Sequence, residues 1–426
     1  CIYIAIDYNI NLELLNTFIN ENKRKLILCL SDIHLGIDDS YGQFKSNRKY
    51  LHNFLSKLRF SPNLKELVFN GDLFDQWFIP GDIDTLCGKS SLNFLERIVE
   101  NNREIINDIR NIIADKEIKV TYIPGNHDML FTSAEINSIF PGINQARDSY
   151  GLGSYTPEDL PNSIIEHGHR YDFFCAPNHI STTEDNCDFL LPPGYFYARI
   201  SATSFIENLR YYDDFVTDFT LISNTYSNKN YLEYLYKSIC TFSLRKCPVM
   251  ESNDEKFIYT LINGYKENYC INDLLPDLLN EDKKDSNKLF KDITLTWNKR
   301  QIYNKVPVSI STEAAIKYSI FHSYFDNMAQ IQYFKNPQSK KRIVIFGHTH
   351  CACMIISNNS LDQKTIYANC GSWLDKSSYP PSMTFTLLIP PKDKTSPNTF
   401  IHLYRYKGDN SIEKLQSQAV TEFSSV

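Results

Sequence analysis

Five apolar runs in this chain stop at a cluster of Asp, Asn and His, and that repeated ending narrows the fold more than any other feature. Leu26–Leu30 leads into Ser31-Asp32-Ile33-His34, and Glu66–Asn70 into Gly71-Asp72-Leu73-Phe74-Asp75. Ile118–Ile123 leads into Pro124-Gly125-Asn126-His127-Asp128, and Arg342–Phe346 into Gly347-His348-Thr349-His350. The shorter Ser163–Ile165 leads into Glu166-His167-Gly168-His169. Short apolar runs bounded by glycine read as buried strands. Ligands of open α/β sheets bind at the carboxyl rim of the strands. The endings therefore place oxygen and nitrogen donors together on one rim.

Helical patterns lie between the first three runs. Asn47–Leu58 puts Tyr50, Leu51, Phe54, Leu55 and Leu58 on one face, and Leu92–Ile113 reads as one long helix. The order βαβαβ predicts a mainly parallel sheet with right-handed crossovers. Residues 25–173 and 339–410 form the core in this reading, after an N-terminal helical extension, 1–24, with Leu12, Leu15, Phe18 and Ile19 at helical spacing. Residues 174–338 are rich in Tyr and Phe, helical in period and free of strand-and-motif units. They leave the core between His167 and His348, so they are expected to form a cap over the rim. Cys353–Ser357, Thr365–Asn369, Thr384–Ile389 and Phe400–Tyr406 read as an antiparallel meander completing a second sheet. The polar tail, 411–426, is expected to be a short helix or unstructured.

A net charge of −6 weighs against a nucleic-acid partner, which normally meets a basic face. Eleven cysteines without a regular framework favour a reducing compartment, hence a cytoplasmic location. No run reaches the length of a membrane span, which leaves only peripheral membrane contact open. The chain starts at Cys1, so a truncated or processed N-terminus is expected.

Asp32, His34, Asp72, Asn126, His167, His348 and His350 offer oxygen and nitrogen but no thiolate, a set that suits Mn²⁺, Fe or Zn²⁺. The donors are too many for one ion and suit two divalent ions if Asp72 bridges them. A pair about 3.5–4 Å apart can share a hydroxide nucleophile and clamp phosphoryl oxygens. His127 follows Asn126 directly and is expected to face the substrate, with Asp128 orienting it. A single strand-end Asp is most often a turn or cap residue, and a single His most often a satisfied, partly buried side chain. Asp75, Asp128 and His169 therefore read as supports more readily than as ligands, Asp75 bracing His34 or a loop. Arg199, beside Tyr195-Phe196-Tyr197, and Arg170 are candidates to meet a phosphate, with an aromatic cap core as the competing reading.

Together the blocks Asp32-Ile33-His34, Gly71-Asp72-Leu73-Phe74-Asp75, Gly125-Asn126-His127-Asp128, His167-Gly168 and Gly347-His348-Thr349-His350 resemble the calcineurin-like metallophosphoesterase superfamily. The resemblance implies a four-layer α/β/β/α sandwich, here with a large, mostly helical cap insertion. It implies Asp32, His34, Asp72 and His350 on one metal ion and Asp72, Asn126, His167 and His348 on the other. His127 would be the general acid or oxyanion stabiliser, and His169 would support the site or touch substrate. Gly71–Trp77 and Glu166–Asp172 look like the branch containing UDP-2,3-diacylglucosamine hydrolases. Those enzymes usually carry Arg where this chain has His127, and have a smaller cap.

The expected activity is therefore hydrolysis of a small-molecule or lipid-linked phosphoester, whether monoester, diester or pyrophosphate, by a metal-bridging hydroxide. A nuclease of the same superfamily and a metal-binding scaffold without turnover are the alternatives.

Overall fold

The computed structural model describes residues 9–11, 24–85, 92–148, 151–178, 191–207, 236, 258–262, 265–274, 289–290, 293–319, 323–377, 379–391 and 397–421. In chain order these form β1 (Asn9–Asn11), β2 (Leu26–Leu30), α1 (Arg48–Leu58), β3 (Leu64–Asn70), α2 (Leu92–Asn101), α3 (Arg103–Asp115) and β4 (Lys119–Ile123). Then come α4 (Ser133–Ile139), β5 (Asn144–Gln145), β6 (Ser154–Tyr155), β7 (Ser163–Glu166), and the hairpin β8 (Ile258–Ile262) and β9 (Tyr265–Tyr269). The carboxyl part contains β10 (Ile343–Phe346), β11 (Cys353–Asn358), β12 (Lys364–Asn369), β13 (Thr384–Ile389), β14 (Asn398–Tyr406) and β15 (Ser411–Thr421).

Two sheets face each other. One runs β1-β15-β14-β13-β2-β3-β4-β5, and the other β11-β12-β10-β7-β6. β2, β3 and β4 are parallel neighbours, as are β7, β10 and β12. Strands buried on both faces need apolar residues at every position rather than at alternate ones, and β2 reads Leu-Ile-Leu-Cys-Leu with all five side chains buried. Its residues divide between two cores. Leu26, Leu28 and Leu30 pack with Phe54 and Leu55 of α1 and Ile106 and Ile109 of α3. Ile27 and Cys29 meet Ile165, Ile343, Ile345 and Ile366 of the other sheet.

The outer face of the second sheet is covered from the insertion. Met328, Ala329 and Phe334 pack on Ile164, Val344, Phe346 and Tyr367, completing helix, sheet, sheet and helix layers. An earlier part of the insertion builds a separate aromatic cluster. Tyr195, Phe196, Tyr236, Ile258 and Trp297 pack with Phe173 and Phe174 against Trp77 and Met129. That cluster reaches the motif loops directly, because Trp77 stands two residues past Asp75. Among the described residues no helix is long and apolar enough to cross a membrane.

Several elements differ from the sequence reading. The Leu92–Ile113 helix is two helices, broken at Asn102, whose backbone leaves the helical region at φ −125° and ψ 32°. The Asn102 side chain donates to Gly36 O at 2.8 Å and Ile98 O at 2.8 Å, tying the break to the loop after His34. The expected meander is divided: β11 and β12 join the second sheet, whereas β13 and β14 join the first beside β2. The polar tail supplies β15, paired along β14. The insertion contains the β8–β9 hairpin as well as helices. The helix read near Leu12 to Ile19 lies outside the described residues; Asn9–Asn11 pairs with β15.

Candidate metal centre

The loops after β2, β3, β4, β7 and β10 converge at one rim. Asp32, His34, Asp72, His348 and His350 all hold positive φ, between 52° and 69°. The left-handed region costs a non-glycine residue on the order of 1–3 kcal/mol and persists where surrounding structure enforces it. Here the loops brace one another. Ile33 and His34 N–H groups donate to Asp72 O at 3.0 Å each, and Leu35 N–H to Leu73 O at 2.9 Å. His348 N–H donates to Asp32 Oδ2 at 3.0 Å. Gly125 must be glycine for this packing, since a Cβ there would lie 2.1 Å from Asp72 Oδ1. Gly71, at φ +82°, lies under the His167 ring, which a Cβ would meet at 2.3 Å.

The side chains form two groups joined at Asp72. In the first, ligand atoms of Asp32, His34, Asp72 and His350 all lie within 4.8 Å of one another. His350 Nε2 is 3.2 Å from Asp32 Oδ1, and His34 Nε2 is 3.6 Å from Asp72 Oδ2. In the second, His167 Nε2 is 3.2 Å from Asp72 Oδ2 and 3.2 Å from Asn126 Oδ1. His348 Nδ1 lies 2.8 Å from the same Asn126 oxygen. The seven candidate ligands are thus brought together at one place. Asp32, His34, Asp72, Asn126 and His167 are buried, whereas His127, His348 and His350 are partly exposed and line the open side.

His127 stands at the edge of the first group. Its Nδ1 lies 2.7 Å from Asp75 Oδ1, and its backbone N–H donates to Asp72 Oδ1 at 2.8 Å. The carboxylate on the His127 ring is therefore Asp75 and not the adjacent Asp128. Asp128 accepts instead from Gly125 N–H at 2.7 Å and Leu73 N–H at 2.9 Å, locking the β3 and β4 loops together. Asp75 also faces His34 Nδ1 at 3.7 Å. The His127 ring lies between the edge of His34, with centroids 4.3 Å apart, and the Trp77 face, 4.9 Å away at 28°. Sequence reasoning gave no role to Trp77 or to Asp172, although both belong to motif stretches.

The remaining candidates face the protein. His169 is buried with Nε2 2.9 Å from Gly151 O. Arg170 reaches Glu166 at 3.3 Å, Asn304 O at 2.6 Å, and Asp148. Arg199 is fully buried and donates to Ile79 O at 2.7 Å, Pro80 O at 2.9 Å and Gly81 O at 3.1 Å, holding the loop beyond Trp77.

The electrostatics favour positive charge at the rim. Burial opposes ionisation of Asp32 and Asp72, yet His167 and neighbouring imidazoles hold both carboxyls below the usual range. Burial likewise opposes a charged His167, but Asp72 and Asp32 outweigh it and carry this group up to about 9. His34 is raised by surrounding carboxylates in the same way. By contrast, burial pushes His350 and His169 down. Asp32 Oδ1 and both ring nitrogens of His34 are buried without a well-aligned hydrogen bond. Buried polar atoms normally have partners, and a divalent cation suits anionic oxygens and imidazole lone pairs aimed at one another. The residues present therefore fit metal ions.

The family model for calcineurin-like phosphoesterases matches residues 25–352, a span that holds all five motif loops. Among solved structures, the chain is similar to a dimetal phosphatase from Danio rerio at 12% identity and a TM-score of 0.32, covering 93% of this chain and 98% of that one. It is also similar to a putative 5'-nucleotidase from Staphylococcus aureus at 10% identity and a TM-score of 0.26, covering 94% of this chain and 55% of that one. No curated protein matches the sequence. Given the extent of the family match, this chain belongs to the calcineurin-like phosphoesterases, hydrolases that use a dinuclear divalent metal centre.

Proposed function

We propose that the chain hydrolyses a small-molecule or lipid-linked phosphoester with one cation held by Asp32, His34, Asp72 and His350 and a second by Asp72, Asn126, His167 and His348. The observation that carries this reading is the position of Asp72 Oδ2, 3.6 Å from His34 Nε2 in one group and 3.2 Å from His167 Nε2 in the other. Mn²⁺ is the first choice for such an oxygen and nitrogen set, with Fe or Zn²⁺ next. When bound, the cations supply Lewis acidity toward phosphoryl oxygens and water.

The chain's own residues do the rest. His127 Nδ1 faces Asp75, so Nε2 is the ring nitrogen left for substrate. From there the imidazolium donates a proton to the departing ester oxygen, or a hydrogen bond to a phosphoryl oxygen. Trp77 and His34 hold the plane of the ring, so the proton is delivered along one direction. Asp128 keeps the Gly125 turn against Leu73 and so fixes His127 relative to Asp72.

The aromatic part of the insertion serves as a cap, and Arg170 and Arg199 brace it. A cap of this size restricts a folded protein substrate. The finer likeness to UDP-2,3-diacylglucosamine hydrolases rests on Gly71–Trp77 and Glu166–Asp172. His127 in place of their usual Arg, together with the longer insertion, favours another phosphoester. Hydrolysis of a phosphate monoester and a phosphate diester chromogen, side by side with Mn²⁺ and with metal removed, tests the reading. Metal-dependent turnover of at least one is expected, and its ratio to the other gives the ester class. Turnover that persists after metal removal would contradict it.

A further inference from the structure

We propose that Asp172 is a positioning residue for His348, selecting the ring nitrogen that faces the metal centre, and that Ser319 links this selection to the insertion. The inference rests on the two-metal reading above. Asp172 Oδ2 lies 3.0 Å from His348 Nε2, while His348 Nδ1 lies 2.8 Å from Asn126 Oδ1. A carboxylate only accepts hydrogen bonds, and neutral imidazole carries one N–H and one lone pair. Asp172 therefore keeps the hydrogen on Nε2 and turns the Nδ1 lone pair toward Asn126 and His167. A carboxylate behind a ligating imidazole also raises the ligand's basicity.

Asp172 is itself fixed from two directions. Its Oδ1 accepts from Phe174 N–H at 2.8 Å, within its own turn, and from Ser319 Oγ at 2.9 Å. Ser319 closes the helix Thr312–Tyr318 of the insertion and shares its hydroxyl with Ala315 O at 3.0 Å. The turn after Asp172 is held from the insertion as well, since Arg300 donates to Phe173 O at 3.1 Å and Ala176 O at 2.7 Å. A shift of that helix would move the carboxylate, and with it the preferred orientation of His348. The cap and one of the two cation positions are thus joined through the Asp172–His348 hydrogen bond and one hydroxyl.

Calorimetric titration of the metal-free chain with Mn²⁺ tests this without reference to turnover. The wild type is expected to bind two ions. Asp172→Ala should weaken one of them by about 10–100-fold, the range for losing such a partner, and leave the other unchanged. Asp172→Asn, which keeps the shape but not the charge, should weaken the same ion less, and Ser319→Ala less again. A merely structural role would weaken both ions together and lower the thermal midpoint of the metal-free protein. If Asp172→Ala does not fold, Asp172→Asn carries the test. Two ions bound equally well by wild type and Asp172→Asn would overturn the role of Asp172 alone. A wild type that binds no Mn²⁺ would overturn the two-metal reading itself.

Discussion

The carboxylate of Asp75 stands 2.7 Å from His127 Nδ1, so two motif blocks that are separate in sequence share one acid and one imidazole. This pairing separates the His127 ring from the proposed ligand positions, whereas Asp75 also faces the proposed ligand His34 at 3.7 Å. His127→Ala should retain both cations and lower kcat by about 10²–10⁴-fold, the usual range for losing a general acid. Asp75→Asn should cost about 10–100-fold, the range for losing a supporting partner. Metal content and turnover measured on the same samples check both. Loss of a cation from His127→Ala would contradict the separation.

Metal binding should depend on pH with a defined sign. In the metal-free chain His167 titrates at about 9, above its ordinary 6.5, because Asp72 and Asp32 outweigh the effect of burial. Below about 9 a proton must leave before a cation can take its place, so apparent affinity rises with pH, about tenfold per unit for one displaced proton. The same raised value stabilises the metal-free fold below 6.5, and that contribution is lost as pH rises toward about 9. Titrations with Mn²⁺ and denaturant unfolding at pH 6.5 and 8.5 check the two slopes. An affinity that falls with rising pH would contradict the assignment.

Gly125 gives a purely steric prediction. An alanine Cβ would lie 2.1 Å from Asp72 Oδ1 and 2.3 Å from Asp72 N, with backbone on one side and a proposed ligand on the other. Gly125→Ala should cost about 1–3 kcal/mol of stability, as overpacking generally does, and should weaken both cations because Asp72 serves both groups. Gly36→Ala is the control, since a Cβ there meets nothing within 4 Å. Equal thermal midpoints for the two variants would contradict the packing of the β3 and β4 loops.

The rim was legible in the sequence because each chemical residue follows directly on an apolar strand, so one-dimensional spacing carries the three-dimensional position. The strain at Asp32, His34, Asp72, His348 and His350 falls on residues that the motifs already marked. The carboxyl strands were harder to read. Tyr404 pairs with Lys414 but Leu403 with Gln416, leaving Leu415 as a bulge. The bulge reverses the faces along β15: Ile412 enters the helix-side core and Val420 the core between the sheets. Period-two alternation is lost, and the segment reads as a polar tail. The break at Asn102 depends on Gly36 O, far away in sequence, so no local pattern announces it. Asp172 and Asp75 acquire partners 176 and 52 residues away, which spacing alone could not assign.

The most direct measurement of the central claim is the number of Mn²⁺ ions bound per chain by wild type and Asp72→Asn. If Asp72 is shared, the wild type binds two, the variant binds at most one, and phosphoester turnover disappears with the lost ion. Two ions retained at wild-type affinity by Asp72→Asn, or turnover at the wild-type rate, would contradict it.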